Sequence, residues 1–229
     1  KDLNEIKYFD AGSLKVNINC TQSVIKTVKL ATESFIKSNL KPLILGGEHS
    51  ITIGIIEALI QKHSNLILIQ LDAHADLRES YQDNKFSHAC TIKRCIEILP
   101  TEKVFQVGIR SGTKEEFKIM NNNNQLINLK AGESKSKLKK ALDPYKEYPI
   151  YLTIDLDWFD PSLLPGTGTP EPGGFFWHDF ENLIGLLNTF KIIGCDIVEL
   201  SPDIDSSGIS SIVAAKTTRS LIMTLDKCT

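Results

Sequence analysis

Short, nearly continuous apolar runs alternating with longer amphipathic stretches constrain this chain most. The clearest is Leu66-Ile67-Leu68-Ile69-Gln70-Leu71, which lacks the polar alternation of a half-exposed strand. A strand of that character is covered on both faces, as in parallel sheets. Further strands are expected over 42–45, 104–109, 125–129, 150–156 and 192–200. Helical patterns fill the gaps over 22–38, 51 to about 63, 89–99, 114 to about 121, 135–142, 177–190 and 210–225. This alternation predicts a three-layer α/β/α sandwich with a mostly parallel central sheet. No repeat or linker interrupts it, so residues 1–229 read as a single domain.

Each of three such strands runs out into residues that bind metals. The clusters are Gly46-Gly47-Glu48-His49, Asp72-Ala73-His74-Ala75-Asp76 and Asp155-Leu156-Asp157. Parallel strands present their carboxyl ends to one crevice, where ligands bind. Asp155 and Asp157 stand two apart, and the strand period of two puts both carboxylates on one face. Like charges there are costly unless a cation compensates them. Taken alone, the pair also fits a capped turn, and His49 fits a helix start. Asp72, His74 and Asp76 repeat the two-residue spacing around an imidazole, a pattern that core packing does not explain.

Together His49, Asp72, His74, Asp76, Asp155 and Asp157 offer two nitrogens and four carboxylates with no thiolate. That set suits two divalent ions, Mn(II) first, with Zn, Fe, Co or Ni also compatible. Asp72 and Asp155, at the strand ends, are the expected bridges. A two-metal site makes hydroxide at neutral pH and clamps both sides of a hydrolysis. Four aspartates balance two dications, so a bridging hydroxide leaves the centre negative. Glu199, ending the run Ile197-Val198-Glu199, adds a further negative charge. Such a centre repels a phosphate ester and attracts a guanidinium or ammonium.

The bulk numbers agree. The chain has 229 residues, 41% hydrophobic and 24% charged, with a net charge of −2. That balance disfavours nucleic acid and anionic membranes as partners. No apolar run is long enough to span a bilayer. Cys20, Cys90, Cys95, Cys195 and Cys228 lack CxxC spacing and read as free thiols in a reducing cytoplasm. The segment 165–174, rich in Gly and Pro, is a loop that follows Asp155 and Asp157 and should cover the crevice. It carries neither GxGxxG nor GK[ST], so it is a poor phosphate cradle.

The motifs GGEHS, LDAHAD, SHAC, VGIRS, YLTIDLDWFDPSLLPGTGTPEPGG and DIVELSPDIDSSGISSIVAAK make the chain resemble the ureohydrolase family, the arginase and agmatinase relatives. The resemblance runs from residue 46 to about 216 in the family's order. It implies the arginase-like form of the sandwich, a dimanganese centre on the six residues above, and hydrolysis of a guanidino compound to urea and an amine. By the same resemblance Glu199 pairs with the substrate guanidinium, His88 contacts substrate and shuttles protons, and Asp76 passes a proton to the leaving amine. Ser111 and Thr113 stand where arginases carry acidic residues for the α-amino end of arginine. With the Ser-His-Ala-Cys and Glu-Leu-Ser-Pro contexts, this makes the chain most similar to agmatinases, with agmatine as the expected substrate, giving putrescine. Guanidinobutyrate and arginine are the alternatives within the class. A single-metal polyamine deacetylase-like hydrolase and a catalytically inactive metal-binding relative are the alternatives outside it. The resemblance also implies a homo-oligomer, trimeric or hexameric. Two departures stand out: Glu48 replaces the usual aspartate before His49, where its longer arm is expected to shift the imidazole, and the family's N-terminal strand and loop do not precede residue 1.

Overall fold

The structure is a computed structural model describing residues 2–127, 129–133 and 135–227. Cys228 lies outside them. Among the described residues six strands form one sheet: β1 (Leu43–Leu45), β2 (Ile67–Leu71), β3 (Val104–Val107), β4 (Leu126–Ile127), β5 (Pro149–Asp155) and β6 (Lys191–Val198). Their order is β1-β6-β5-β2-β3-β4, and every pairing is parallel. Seven α-helices cover it: α1 (Thr21–Lys37), α2 (Ile51–Leu59), α3 (Thr91–Cys95), α4 (Lys114–Asn122), α5 (Ser136–Leu142), α6 (Trp177–Leu187) and α7 (Ile209–Lys227).

The alternation of side chains along the strands sorts the core into two halves. Ile67, Ile69 and Leu71 of β2 pack with Ile150, Leu152 and Ile154 of β5 against α5, α6 and α7. Leu68 and Tyr151 face the other way, with Val28 and Ile36 of α1, the buried residues of α2, Ile92 of α3 and Met120 of α4. This is the expected three-layer sandwich. Helix α2 is apolar nearly all round because it is buried nearly all round. Gly54 lets it lie against α1, since a Cβ there would come within 2.3 Å of the Ile25 carbonyl oxygen.

Several elements stop earlier than the apolar pattern suggests. The third strand ends at Val107 because Gly108 has φ +99°, and the sixth at Val198 because Glu199 has φ +65°. The helix expected over 89–99 is only a 3-10 turn, His88–Cys90, followed by the short α3. The helix expected to about residue 63 ends at Leu59.

Candidate active site

The first four strands of the sheet order, β1, β6, β5 and β2, send their carboxyl ends into one crevice. His49 follows β1, Glu199 follows β6, Asp155 and Asp157 close β5, and Asp72, His74 and Asp76 follow β2. The structure therefore gathers all six expected ligands, with Glu199 beside them.

His49 is the centre of the first group. It is fully buried, and its Nδ1 lies 3.1 Å from Asp76 Oδ2, 3.2 Å from Asp72 Oδ2 and 3.4 Å from Asp155 Oδ2. Despite those neighbours, Nδ1 has no hydrogen bond of acceptable geometry. The second group is Asp72, His74 and Asp157, with His74 Nδ1 2.9 Å from Asp157 Oδ2 and 3.7 Å from Asp72 Oδ1. Donor atoms of His49, Asp72 and Asp76 lie close enough together to hold one ion, and so do those of Asp72, His74 and Asp157. Asp72 is common to both sets, as a bridge requires. Asp155 reaches the His49 group directly.

The backbone fixes these carboxylates. His74 N–H donates to Asp72 Oδ1 at 2.5 Å, Ala73 N–H to Asp157 Oδ1 at 3.1 Å, and Asp157 N–H to Asp155 Oδ1 at 2.9 Å. Asp76 and Glu199 are both left-handed, with φ +53° and +65°. For non-glycine residues that costs about 1–3 kcal/mol each, strain that clusters at functional sites. Glu116, buried in the first turn of α4, accepts Leu77 N–H at 3.0 Å and Thr113 N–H at 2.7 Å, which fastens the segment behind Asp76.

The electrostatics favour a cation. Burial alone would lower His49, but its contacts with Asp155, Asp72 and Asp76 outweigh that and hold it well above the usual range. Burial, then the neighbouring Asp72 charge, pushes Asp76 up to about 7. Burial with the charges of Asp157 and Asp72 raises Asp155, and burial with Asp72 raises Asp157. Four buried carboxyls cannot all ionise without compensation. The donor chemistry of both groups fits divalent metals, and the orphaned Nδ1 of His49 supports the first position.

Glu199 sits at the edge of the cluster. Its Oε1 accepts the His49 backbone N–H at 2.6 Å, and its own N–H donates to Gly47 O at 2.8 Å. Burial raises its carboxyl. His88 is half-buried, stacked edge-on against Tyr81 with centroids 5.7 Å apart. Glu48, expected to disturb His49, turns instead to His88. Its Oε1 accepts the His88 backbone N–H at 2.7 Å and lies 3.2 Å from Nδ1, while Oε2 accepts from Ser50 Oγ.

The loop 165–174 covers the crevice as expected. Thr169 Oγ1 donates to Asp157 Oδ2 at 3.3 Å, and Thr167 bridges to Leu200. Arg110 pins it: the guanidinium donates to Asp157 O and Glu171 O at 2.7 Å each, and its remaining partners are also backbone carbonyls. Sequence reasoning missed Glu48 as the partner of His88, and it missed Thr169 and Arg110. It also missed a buried polar layer beneath the ligands, whose signal was the isolated Gln70, Gln106, Thr153 and Asp196 inside otherwise apolar strands.

A parallel sheet that gathers two touching groups of carboxylates and imidazoles at its strand ends defines a class of α/β protein able to hold a pair of divalent metals. Comparison with known proteins specifies which. The model of the arginase family matches residues 1–224. An agmatinase from Bacillus anthracis is 34% identical over 97% of this chain and 77% of its own length. An N(1)-aminopropylagmatine ureohydrolase from Thermococcus kodakarensis is 38% identical over 87% of this chain and 68% of its own. A solved structure described as a candidate agmatinase from Clostridium difficile superposes with a TM-score of 0.91 at 38% identity, covering 98% of this chain and 82% of that one. The chain belongs to the arginase family and is an amidinohydrolase.

Proposed function

We propose that this amidinohydrolase cleaves agmatine to putrescine and urea, using two Mn(II) ions held by His49, Asp72, Asp76, Asp155, His74 and Asp157. The observation that carries the reading is the carboxylate of Glu199, anchored by the His49 N–H beside an aspartate-rich centre. These donors would hold two divalent ions, which would supply hydroxide at neutral pH. Glu199 pairs with the guanidinium and holds its carbon in the crevice, and positioning of this kind removes several kcal/mol of barrier. Asp76, whose carboxylate lies 3.1 Å from His49 Nδ1 in the same group, is placed to accept a proton from the attacking water and pass it to the departing amine. His88 keeps Nδ1 on Glu48, which leaves Nε2 for substrate contact and proton exchange. The loop 165–174 limits water.

Two residues support agmatine over arginine. Ser111 pairs with His74 in a short bridge, and Thr113 spends its side chain capping α4. Neither offers a carboxylate to an α-amino group. The experiment is reconstitution with Mn(II) and assay of urea from agmatine, arginine and guanidinobutyrate. Agmatine should be preferred. No urea from any of the three, with two metals bound per chain, sinks the enzyme reading; arginine outrunning agmatine sinks the substrate. Glu199→Gln should keep Mn and lose at least about 10²-fold in kcat/KM.

We read the protein as one domain that works in the cytoplasm as a trimer or hexamer. Four free cysteines among the described residues support a reducing compartment. A monomer in sedimentation at micromolar concentration overturns the oligomeric part.

A further inference from the structure

Gln106, Gln70, Thr153 and Asp196 are completely buried and stand in register across four adjacent strands: Gln106 opposite Gln70, Gln70 opposite Thr153, Thr153 opposite Asp196. Register puts the four on one face of the sheet, beneath α2, and one strand repeat below Asp72 and Asp155. Buried polar residues in strand interiors are costly unless they are satisfied, so a continuous row of them calls for a reason.

The contacts run upward from this row to the ligands. Gln106 Nε2 donates to Gln70 Oε1 at 2.7 Å, and Gln70 Nε2 donates to Asp72 Oδ2 at 2.6 Å. At the other end His49 Nε2 lies 2.9 Å from Thr153 Oγ1, and Thr153 Oγ1 donates to Asp196 Oδ1 at 2.6 Å. Asp196 Oδ2 accepts from Thr52 Oγ1 at 3.0 Å and from the Tyr151 hydroxyl at 2.9 Å. Three hydroxyl protons thus converge on Asp196.

That arrangement has a direction. With Asp196 ionised, the Thr153 hydrogen is committed to it at 2.6 Å in preference to Thr52 Oγ1 at 3.2 Å; the Thr153 oxygen is then an acceptor, so a neutral His49 carries its hydrogen on Nε2. The lone pair is then on Nδ1, the atom that faces Asp72, Asp76 and Asp155 and makes no hydrogen bond. We propose that Thr153 and Asp196 are positioning residues whose one-way hydrogen-bond relay selects Nδ1 of His49 as a metal-ligating atom and thereby sets the affinity of the first metal position. The inference rests on the proposed role of His49 as a ligand. Partners that orient a ligating histidine typically matter by about 10–100-fold in metal affinity.

The test compares Mn(II) binding isotherms, read by the EPR signal of free Mn(II), for the wild-type chain and three variants. Thr153→Val keeps the shape but removes the acceptor, and should weaken one of the two sites by about 10–100-fold. Thr153→Ser restores the hydroxyl and should recover most of that loss. Asp196→Asn is the sharper variant. Thr52 and Tyr151 both donate at Oδ2, so the amide oxygen belongs there and the NH2 faces Thr153. The relay is then reversed, Thr153 donates to Nε2, and the hydrogen moves to Nδ1. Asp196→Asn should therefore bind Mn at least as weakly as Thr153→Val. Wild-type affinity in Thr153→Val and Asp196→Asn overturns the relay, as does failure of Thr153→Ser to rescue a weakened Thr153→Val. A wild-type chain that binds no Mn(II) overturns the ligand assignment instead.

Discussion

Glu48 shows how much one methylene can redirect. At the residue scale its neighbour His49 looked the least secure ligand in the sequence, yet it is fully buried at the meeting point of three aspartates. Glu48 instead reaches across to His88, and that contact holds the His88 imidazole above its ordinary value. Glu48→Gln should lower the His88 pKa, measured by NMR titration of its ring proton; an unchanged midpoint refutes the pairing. The stability consequence has a definite sign. A histidine raised on folding stabilises at pH below its unfolded value, near 6.5, and that contribution vanishes as pH climbs through the raised folded value. The melting-point loss in Glu48→Gln should therefore be larger at pH 6 than at pH 9. Asp155→Asn removes a charge that faces His49 and should cost at least about tenfold in Mn affinity, read as retained metal after dialysis; undiminished Mn would refute its expected bridging role. The proposed ligand residues were legible because a carboxylate at the end of a buried apolar run stays charged there only beside a compensating cation or donor. The partner of Glu48 was not, because a contact across 40 positions depends on how the 3-10 turn at His88 approaches β1.

At the scale of elements, the apolar runs predicted the existence of each strand and most helices, and misjudged their ends. The reason is backbone conformation. Gly108 and Glu199 terminate strands by entering the left-handed region while the neighbouring side chains remain hydrophobic, and hydropathy carries no mark of φ. A close approach between helices is equally silent in sequence. Gly54 could pass for a weak point in α2, yet it is what permits contact with α1. Gly54→Ala should destabilise the fold by about 1–3 kcal/mol through overpacking against the Ile25 carbonyl, despite the better helix propensity of alanine. Chemical denaturation of metal-free protein checks this, and a stabilised variant would contradict the packing.

For the whole molecule, alternation foretold the layers but not the strand order, which decides which strand ends become neighbours. Placing β6 and β5 between β1 and β2 brings His49 to Asp72 and Asp155. A metal held by these residues would tie together distant parts of the chain, and its removal should lower the melting temperature. Mn(II) at one hundred times its Kd adds about 2.7 kcal/mol, or about 5–10 °C for a domain of this size; a melting curve indifferent to EDTA would rule out tight binding. Arg110 draws out a different consequence. It grips the covering loop through the main-chain oxygens of Glu171 and Pro172, so that hold is indifferent to which side chain decorates position 171. Glu171, whose carbonyl is held and whose carboxylate is not part of the grip, is such a decoration. Position 171 on the rim can thus vary while the hold of Arg110 stays as it is, whereas Gly166, Gly173 and Gly174 of the same loop have no room or no backbone freedom for a side chain.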